Sequence, residues 1–390
     1  VAVRIPVVFL GGRFWAEEGA VFFHNALTEP WWAALFAVHT GYVNLIANLA
    51  TLLAAQVPLE HAPQVTAVIA LGVQTLPAVV LATSRLPWLR SAPSLTLALL
   101  LLATVPGAGE VWVNSITSHF HMMLAAALVL MIEPRQDRLR WLHRGILVLA
   151  PLTGPGAEML APLFVLRALV ERSRQRAVQA ALIVAASMVQ LGIIATHPEP
   201  ARVYQASLPL LIGIMYVKHV LTPLLGPWVD APAHAVHDVV QQGHWPLTAM
   251  VITPVVFAAM AAAVAASRRP ELRWSFAAGL VFALLSYFGA VANQSTDLLY
   301  WWVGARYAFA PSVLFALTLL GLAYQPGLAR WPARLVVGCM LVVGLARYPH
   351  VLATFATGPD WQHEVAAWRA DPGHVLRIWP TGWVMELPRR

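Results

Sequence analysis

Apolar runs about as long as a bilayer crossing recur along the whole of this 390-residue chain. A helix needs about 17–25 mostly apolar residues to cross a hydrocarbon core of about 30 Å. Hydrophobic residues make up 59% of the chain and charged residues only 11%, which excludes a soluble globule. The predicted fold class is therefore all-α: a polytopic bundle of about 11–13 transmembrane helices, with interfacial amphipathic helices and a short non-cytoplasmic C-terminal tail.

The runs divide the chain into a transmembrane domain, residues 1–349, and a Trp-rich tail, residues 350–390. The first run is too short to span, because only about ten apolar residues precede Gly11. Residues 205–226 are interrupted by Lys218, His219 and Pro223, so they predict either an interfacial helix or a further span. The candidate spans are 1–12 (partial), 41–58, 63–84, 92–108, 117–132, 144–153, 157–170, 179–196, 246–267, 274–293, 307–324 and 335–349.

Arginine accounts for almost all of the net charge of +7, since Lys218 is the only lysine. In a membrane protein such an excess marks cytoplasmic loops, so nucleic-acid binding is not expected. Arginine clusters at 135–144, 167–176, 268–273 and 330–334 are assigned to that side. Residues 145–166 must then leave and return to the same side, which a hairpin of two short helices turning at 153–156 would allow. The polar segments then collect on the opposite, non-cytoplasmic face. Cys339 lies in an apolar run and is expected to be a small buried hydrophobe.

Two adjacent carboxylates, Glu17 and Glu18, follow the first apolar run. A like-charged pair at a membrane boundary resists desolvation, and a partly desolvated carboxylate suits a general base acting on a hydroxyl. The pair could also help to hold a divalent metal, although nothing in the sequence requires one, or could simply face water in a loop. Three candidate spans separate the pair from Glu110, which would place them on opposite faces. Either one of the three does not cross fully, and segment 41–58 is the least apolar of them, or one boundary is misread.

Polar residues cluster again between Pro106 and His121. Glu110 and Asn114 are four residues apart, as are Thr117 and His121, so a helix would place each pair on one face. His119 and His121, at i and i+2, do not share a helix face, which argues against a simple metal site. The stretch forms either one wall of a binding site or a helix cap with satisfied polar groups.

Two further segments carry candidate binding residues. The turn before Glu158 exposes backbone N–H groups that suit a phosphate, although a plain turn between two helices is equally possible. Arg306, followed by Tyr307, lies at the non-cytoplasmic end of a span, against the positive-inside trend, and matches a lipid phosphate. Pairing with Asp297 is the structural alternative. Tryptophans 361, 368, 379 and 383 in the tail could cap the membrane domain, lie on the lipid surface or stack on sugar rings.

Three features together resemble the GT-C superfamily of polytopic glycosyltransferases, which includes protein O-mannosyltransferases and aminoarabinose transferases. Acidic residues follow the first span (Glu17 and Glu18) and precede interfacial helices. The turn Leu152-Thr153-Gly154-Pro155 occupies the place of the family's "LTKGP" turn, with Gly154 where the family has lysine. Arg306-Tyr307 leads to Pro311 at the head of a late span.

The resemblance implies a polyprenyl-phosphate sugar donor and transfer to an acceptor hydroxyl on the periplasmic or extracellular face of a bacterial inner membrane. Glu17 or Glu18 would act as base and Arg306 would lie near the lipid phosphate; the sugar and the acceptor are not identified. Two other classes remain open. A transporter or flippase of lipid-linked saccharide would place its polar residues near the bilayer midplane. A polysaccharide polymerase or ligase would share the lipid-linked substrate.

Overall fold

The computed structural model describes residues 6–106, 109–199, 207–290 and 296–388, and these are mostly helical. Residues 1–5 of the predicted first span lie outside the described residues. Within the described part, five helices are long and apolar enough to cross a membrane, which agrees with the predicted membrane character. They are Leu59–Ala82, Arg174–Thr196, Leu208–Leu225, Leu247–Ala266 and Ala305–Ala323.

The remaining elements are shorter or carry more charge. The other α-helices of ten or more residues are Leu45–Ala54, Ala92–Thr104, Ser118–Met131, Leu139–Leu152, Ala161–Glu171, Asp230–Gln241, Pro270–Ala290, Arg330–Arg347 and Trp361–Ala370. Short α-helices are Pro6–Leu10, His24–Thr28, Trp31–Leu35 and Ala353–Ala356; 3-10 turns are Pro87–Leu89, Ala157–Leu160, Gly226–Val229 and Asp297–Leu299. Among the described residues, π-helical turns are Glu18–Phe23 and Tyr216–Leu221, and short hairpins pair Val38–His39 with Tyr42–Val43 and Leu376–Ile378 with Trp383–Met385.

The core is built around the helix Ser118–Met131, in which every residue except His119 is buried. Its run of Ala, Leu and Met is apolar on all sides, which is typical of a helix enclosed by other helices. Helix Ala305–Ala323 lies beside it and is almost as fully buried. Small residues allow its neighbour Pro270–Ala290 to pack closely: a Cβ added at Gly321 would lie 2.3 Å from Leu272 Cδ2.

The predicted hairpin turn joins two helices, each of which packs mainly against helix Arg174–Thr196. Helices Leu139–Leu152 and Ala161–Glu171 are joined through the turn at 153–156, where Gly154 and Gly156 adopt φ of +115° and +137°. Beyond the hairpin, the buried guanidinium groups of Arg167 and Arg176 both bind the carboxylates of Glu133 and Glu171. Part of the arginine cluster assigned to the cytoplasmic side is therefore paired inside the protein.

Segment 41–58 contains the short strand Tyr42–Val43 and the ten-residue helix Leu45–Ala54. At a rise of 1.5 Å per residue this helix is about 15 Å long, half the thickness of a hydrocarbon core. The helix of segment 92–108, Ala92–Thr104, is likewise shorter than a crossing, so the number of crossings between the acidic pair and Glu110 stays a prediction.

The Trp-rich tail folds back onto the loop that carries the acidic pair. The Trp379 N–H donates to Phe14 O (3.1 Å), and Trp361 Nε1 donates to Leu59 O (3.0 Å). Both indoles are buried in the protein, whereas Trp383 is 36% exposed. Of the roles considered for the tail, Trp361 and Trp379 therefore serve to cap the domain.

Candidate functional site

The acidic loop, residues 11–19, holds one of its two carboxylates in a closed environment. Glu18 Oε1 accepts hydrogen bonds from the Ser115 backbone N–H (2.8 Å) and Oγ (2.5 Å), and Oε2 accepts from the Trp15 N–H (3.2 Å). Burial raises the pKa of Glu18, and these hydrogen bonds together with the charge of Arg13 oppose that effect. Glu18 is thus fully engaged as an acceptor that joins two parts of the chain.

Glu17 is in a different position, because its side chain is partly exposed and no described group donates a hydrogen bond to it. It lies close enough to His39 to affect that ring: burial lowers the pKa of His39, while Glu17 and Glu199 act to raise it. A carboxylate with open lone pairs at the edge of a buried site can accept a proton from a substrate.

Arg13 supplies the positive charge of the acidic loop. Its guanidinium lies between the rings of Trp15 (4.8 Å) and Trp379 (5.1 Å), and its Nη1 donates to Phe355 O (3.0 Å). Burial lowers the pKa of Arg13 to about 10, with the charge of Glu18 opposing the effect, so the group is still charged at neutral pH. Sequence reasoning did not assign Arg13 a role, since its aromatic partner Trp379 is far along the chain.

The central segment, residues 109–117, is not helical, so the prediction that Glu110 and Asn114 share a helix face is wrong; the helix begins at Ser118. Asn114 instead organises a turn: its Nδ2 donates to Glu110 O (2.8 Å), and its Oδ1 accepts from the N–H and Oγ1 of Thr117 (2.9 and 2.7 Å). Gln74, from another helix, also holds the turn: its Oε1 accepts from the Val113 N–H and its Nε2 donates to Asn114 O. Asn114 therefore shapes the site wall.

The two histidines lie in different surroundings. His119 Nδ1 is 2.8 Å from Ile116 O, and its ring packs against Gly154 of the hairpin turn. His121 is enclosed by the rings of Trp112 (4.6 Å) and Phe309 (4.7 Å), and neither of its nitrogens has a partner within the described structure. His121 belongs to the core, whereas His119 joins the central segment to the hairpin turn.

The Glu158 side chain forms a hydrogen bond within the hairpin turn. Both of its carboxylate oxygens lie 2.7 Å from the Gly156 N–H. Burial raises the pKa of Glu158 to about 7, even though that hydrogen bond favours the ionised form. Because the side chain takes the N–H that a phosphate would use, the geometry favours the plain-turn alternative here.

Arg306 forms an ion pair with Glu110, and its guanidinium also lies over the ring of Tyr307 (5.1 Å). Asp297, the structural partner considered from sequence, is exposed and forms no ion pair with Arg306. The ion pair joins the first turn of helix Ala305–Ala323 to the central segment, and its two residues are 196 positions apart in the sequence.

A cleft of about 120 Å³ opens beside this ion pair. Arg347, in the last turn of helix Arg330–Arg347, lies over the ring of Trp301 (4.4 Å) and has no carboxylate partner among the described residues. The cleft is lined by Glu110, Trp301, Trp302, Arg347, His350 and Phe355, among others. Sequence reasoning missed Arg347, although the signal that identified Arg306, a basic residue at the end of a predicted span away from the arginine clusters, applies to it equally.

Lys218, which sequence reasoning also did not assign to the site, supports the turn that carries Trp301 of the cleft. Its buried ammonium donates to the carbonyls of Tyr300 (2.6 Å), Trp301 (3.0 Å) and Val303 (2.6 Å). Three carbonyls converging on one cation hold the turn at 300–304 in place, and this turn carries Trp301 and leads directly into Arg306. The helix containing Lys218, Leu208–Leu225, is one of the candidate spans, so the further-span alternative for 205–226 agrees with its length and composition.

Phe355 connects the acidic loop to the cleft. Its ring lies 5.2 Å from that of Trp15, its carbonyl accepts from Arg13, and it also lines the cleft. The described structure thus places Arg347 and several aromatic rings in the cleft, with Arg306 joined to it through Glu110 and Arg13 through Phe355. No group of three or more His, Cys, Asp or Glu side chains in the described ranges is arranged to hold a metal ion.

Comparison with protein families, characterised proteins and solved structures found no match to this chain.

Proposed function

We propose that this chain is a membrane glycosyltransferase of the GT-C type. It would move a sugar from a polyprenyl-phosphate donor to an acceptor hydroxyl on the periplasmic or extracellular face of a bacterial inner membrane. The observation that carries the proposal is the cleft lined by Arg347 and Glu110, next to the ion pair that Glu110 forms with Arg306. Phe355 lines the same cleft and contacts Trp15 and Arg13 of the acidic loop. The proposal includes the full bundle of about 11–13 membrane helices expected from the hydrophobic runs.

A lipid-linked donor presents its phosphate at the headgroup plane, so a site for it belongs at helix ends. Arg306 also stands in the first turn of its helix, where the helix dipole adds positive potential. Arg347 has no acidic partner among the residues described, so a phosphate would not have to displace one. Transporters concentrate such groups near the midplane instead, which makes transport the weaker alternative.

In the proposed reaction Glu17 takes the proton of the acceptor hydroxyl while the oxygen attacks the anomeric carbon. The bond between that carbon and the phosphate oxygen breaks, and the polyprenyl phosphate leaves with the electron pair. Arg306 and Arg347 stabilise the charge that develops on the phosphate. Glu18 keeps the loop in position through Ser115, because its oxygens are already occupied.

The test uses purified full-length protein in lipid nanodiscs with radiolabelled polyprenyl-phosphate sugars. The wild type should transfer label to an acceptor, and Arg347→Gln should raise the KM for the donor about tenfold or more, the value expected for one charge-assisted hydrogen bond. Arg330→Gln, at the opposite end of the same helix, is the matched control and should leave KM unchanged. Movement of intact donor across the bilayer without sugar transfer would instead identify a flippase.

A further inference from the structure

A second groove lies between helices Leu139–Leu152 and Arg174–Thr196, on the outer surface of the protein, and has a volume of about 430 Å³. Its lining residues on the first helix are spaced i, i+3, i+4, i+7 and i+8, so they form one helix face. They are Trp141, Arg144, Gly145, Val148 and Leu149, faced by Val178 and Leu182 of the second helix.

The groove has one charged end and one apolar end. Arg140 and Arg144 hold their guanidinium groups over the exposed ring of Trp141, at 5.2 and 4.8 Å. No carboxylate in the described structure pairs with either arginine, since Asp137 binds Arg135 and Arg85. Leu149 lies eight residues beyond Trp141 on the same helix, about 12 Å away. Together with Leu182 of the second helix it makes that end of the groove apolar.

Gly145 deepens the middle of the groove. A Cβ added there would meet no atom within 4 Å, so the space above the helix backbone is open. An open apolar groove with an unpaired cation and an indole at one end matches an amphiphile that has an anionic head and an alkyl chain.

We propose that this groove binds one anionic phospholipid, with its phosphate group at Arg144 and Trp141 and one acyl chain lying over Gly145 toward Leu149. The occupant is inferred from the charge of the groove, because an apolar groove alone would accept a zwitterionic lipid equally well. The site is independent of the proposed catalytic cleft. By the arginine pattern of the chain it faces the cytoplasmic leaflet, where anionic lipids attract basic groups.

The chain provides a close control for the headgroup interaction. Arg330 and Arg334 flank Trp331 at 4.8 and 5.1 Å, which repeats the Arg-Trp-Arg arrangement without lining this groove. Gly192 provides the control for the channel, since it also faces open space but lies outside the groove lining.

The experiment measures quenching of tryptophan fluorescence by phosphatidylglycerol or phosphatidylcholine with brominated acyl chains, on full-length protein in nanodiscs. The chain has 16 tryptophans, so the Trp141 signal is taken as wild type minus Trp141→Phe. We expect half-maximal quenching by phosphatidylglycerol at a mole fraction about fivefold lower than by phosphatidylcholine, the preference expected from one basic group at the headgroup.

Arg144→Gln should abolish that preference, and Gly145→Leu should reduce quenching by both lipids. Arg330→Gln and Gly192→Leu should leave both unchanged. Equal quenching of the wild type by the two lipids, no quenching by either, or a preference that survives Arg144→Gln would each overturn the proposal.

Discussion

Ser115 places two hydrogen-bond donors, its backbone N–H and its Oγ, on a single carboxylate oxygen of Glu18, 97 residues earlier in the chain. This contact brings the acidic loop and the central segment to the same face. It also distinguishes the two adjacent glutamates, because both oxygens of Glu18 accept hydrogen bonds while no described group donates one to Glu17.

Ser115→Ala should therefore destabilise the fold. Loss of a hydrogen bond from a hydroxyl to a buried carboxylate costs about 1.5–3 kcal/mol. Thermal unfolding in detergent should show a lower Tm for this variant. Ser118→Ala is the matched control, because the buried Ser118 Oγ has no partner within the described structure, and it should change Tm little. Equal Tm shifts for the two variants would contradict the importance of the Ser115 contact.

Glu158 should make stability depend on pH. Its pKa is raised by burial to about 7, so the folded state favours the neutral acid. The stabilising contribution is then complete below the ordinary carboxyl pKa, about 4.3, and is lost as pH rises through about 7. Tm measured from pH 4 to pH 8 should fall over this window in the wild type and fall less in Glu158→Gln. An identical pH profile for the two proteins would contradict the assignment.

Lys218→Met should loosen the turn at 300–304. Three part-buried carbonyls lose the Lys218 donor, and leaving buried acceptors without a partner costs about 1–3 kcal/mol. Hydrogen exchange at residues 301–305 should accelerate by at least about tenfold. Lys218→Gln keeps a donor and should have a smaller effect, while exchange in the tail at 376–385 serves as the internal control. Unchanged exchange at 301–305 would show that Lys218 does not hold this turn.

The shared face of the acidic loop and the cleft can be tested by cysteine labelling. In a Cys339→Ser background, Glu29→Cys and His350→Cys should react with an impermeant reagent from the same side of the membrane. Arg138→Cys should react from the opposite side. All three positions are exposed, so access alone does not distinguish them. Labelling of positions 29 and 350 from different sides would contradict the arrangement.

The long apolar elements could be predicted from sequence because hydrophobic runs are local signals. Segments 246–267 and 307–324 correspond closely to helices Leu247–Ala266 and Ala305–Ala323. The central segment was misread, since the four-residue spacing of Glu110 and Asn114 imitates a helix whereas side-chain hydrogen bonds from Asn114 and Gln74 fix a turn.

The partners within the candidate site could not be predicted in the same way. Arg306 was identified from its position, but Glu110 as its partner depends on packing between segments 196 residues apart. Lys218 was conspicuous as the only lysine, yet its three carbonyl partners belong to a turn more than 80 residues later. Such contacts are determined by tertiary structure and leave no local pattern.

The most direct test of the account is the rate of sugar transfer by Glu17→Gln compared with wild type, using purified protein, saturating radiolabelled polyprenyl-phosphate sugar and acceptor. Loss of a general base should lower kcat by about 10²–10⁴-fold while Tm and donor binding stay near the wild-type values. Glu29→Gln, an exposed acid in the following loop, should transfer at the wild-type rate. Undiminished transfer by Glu17→Gln, or no transfer by the wild type from any such donor, would contradict the proposed function of this site.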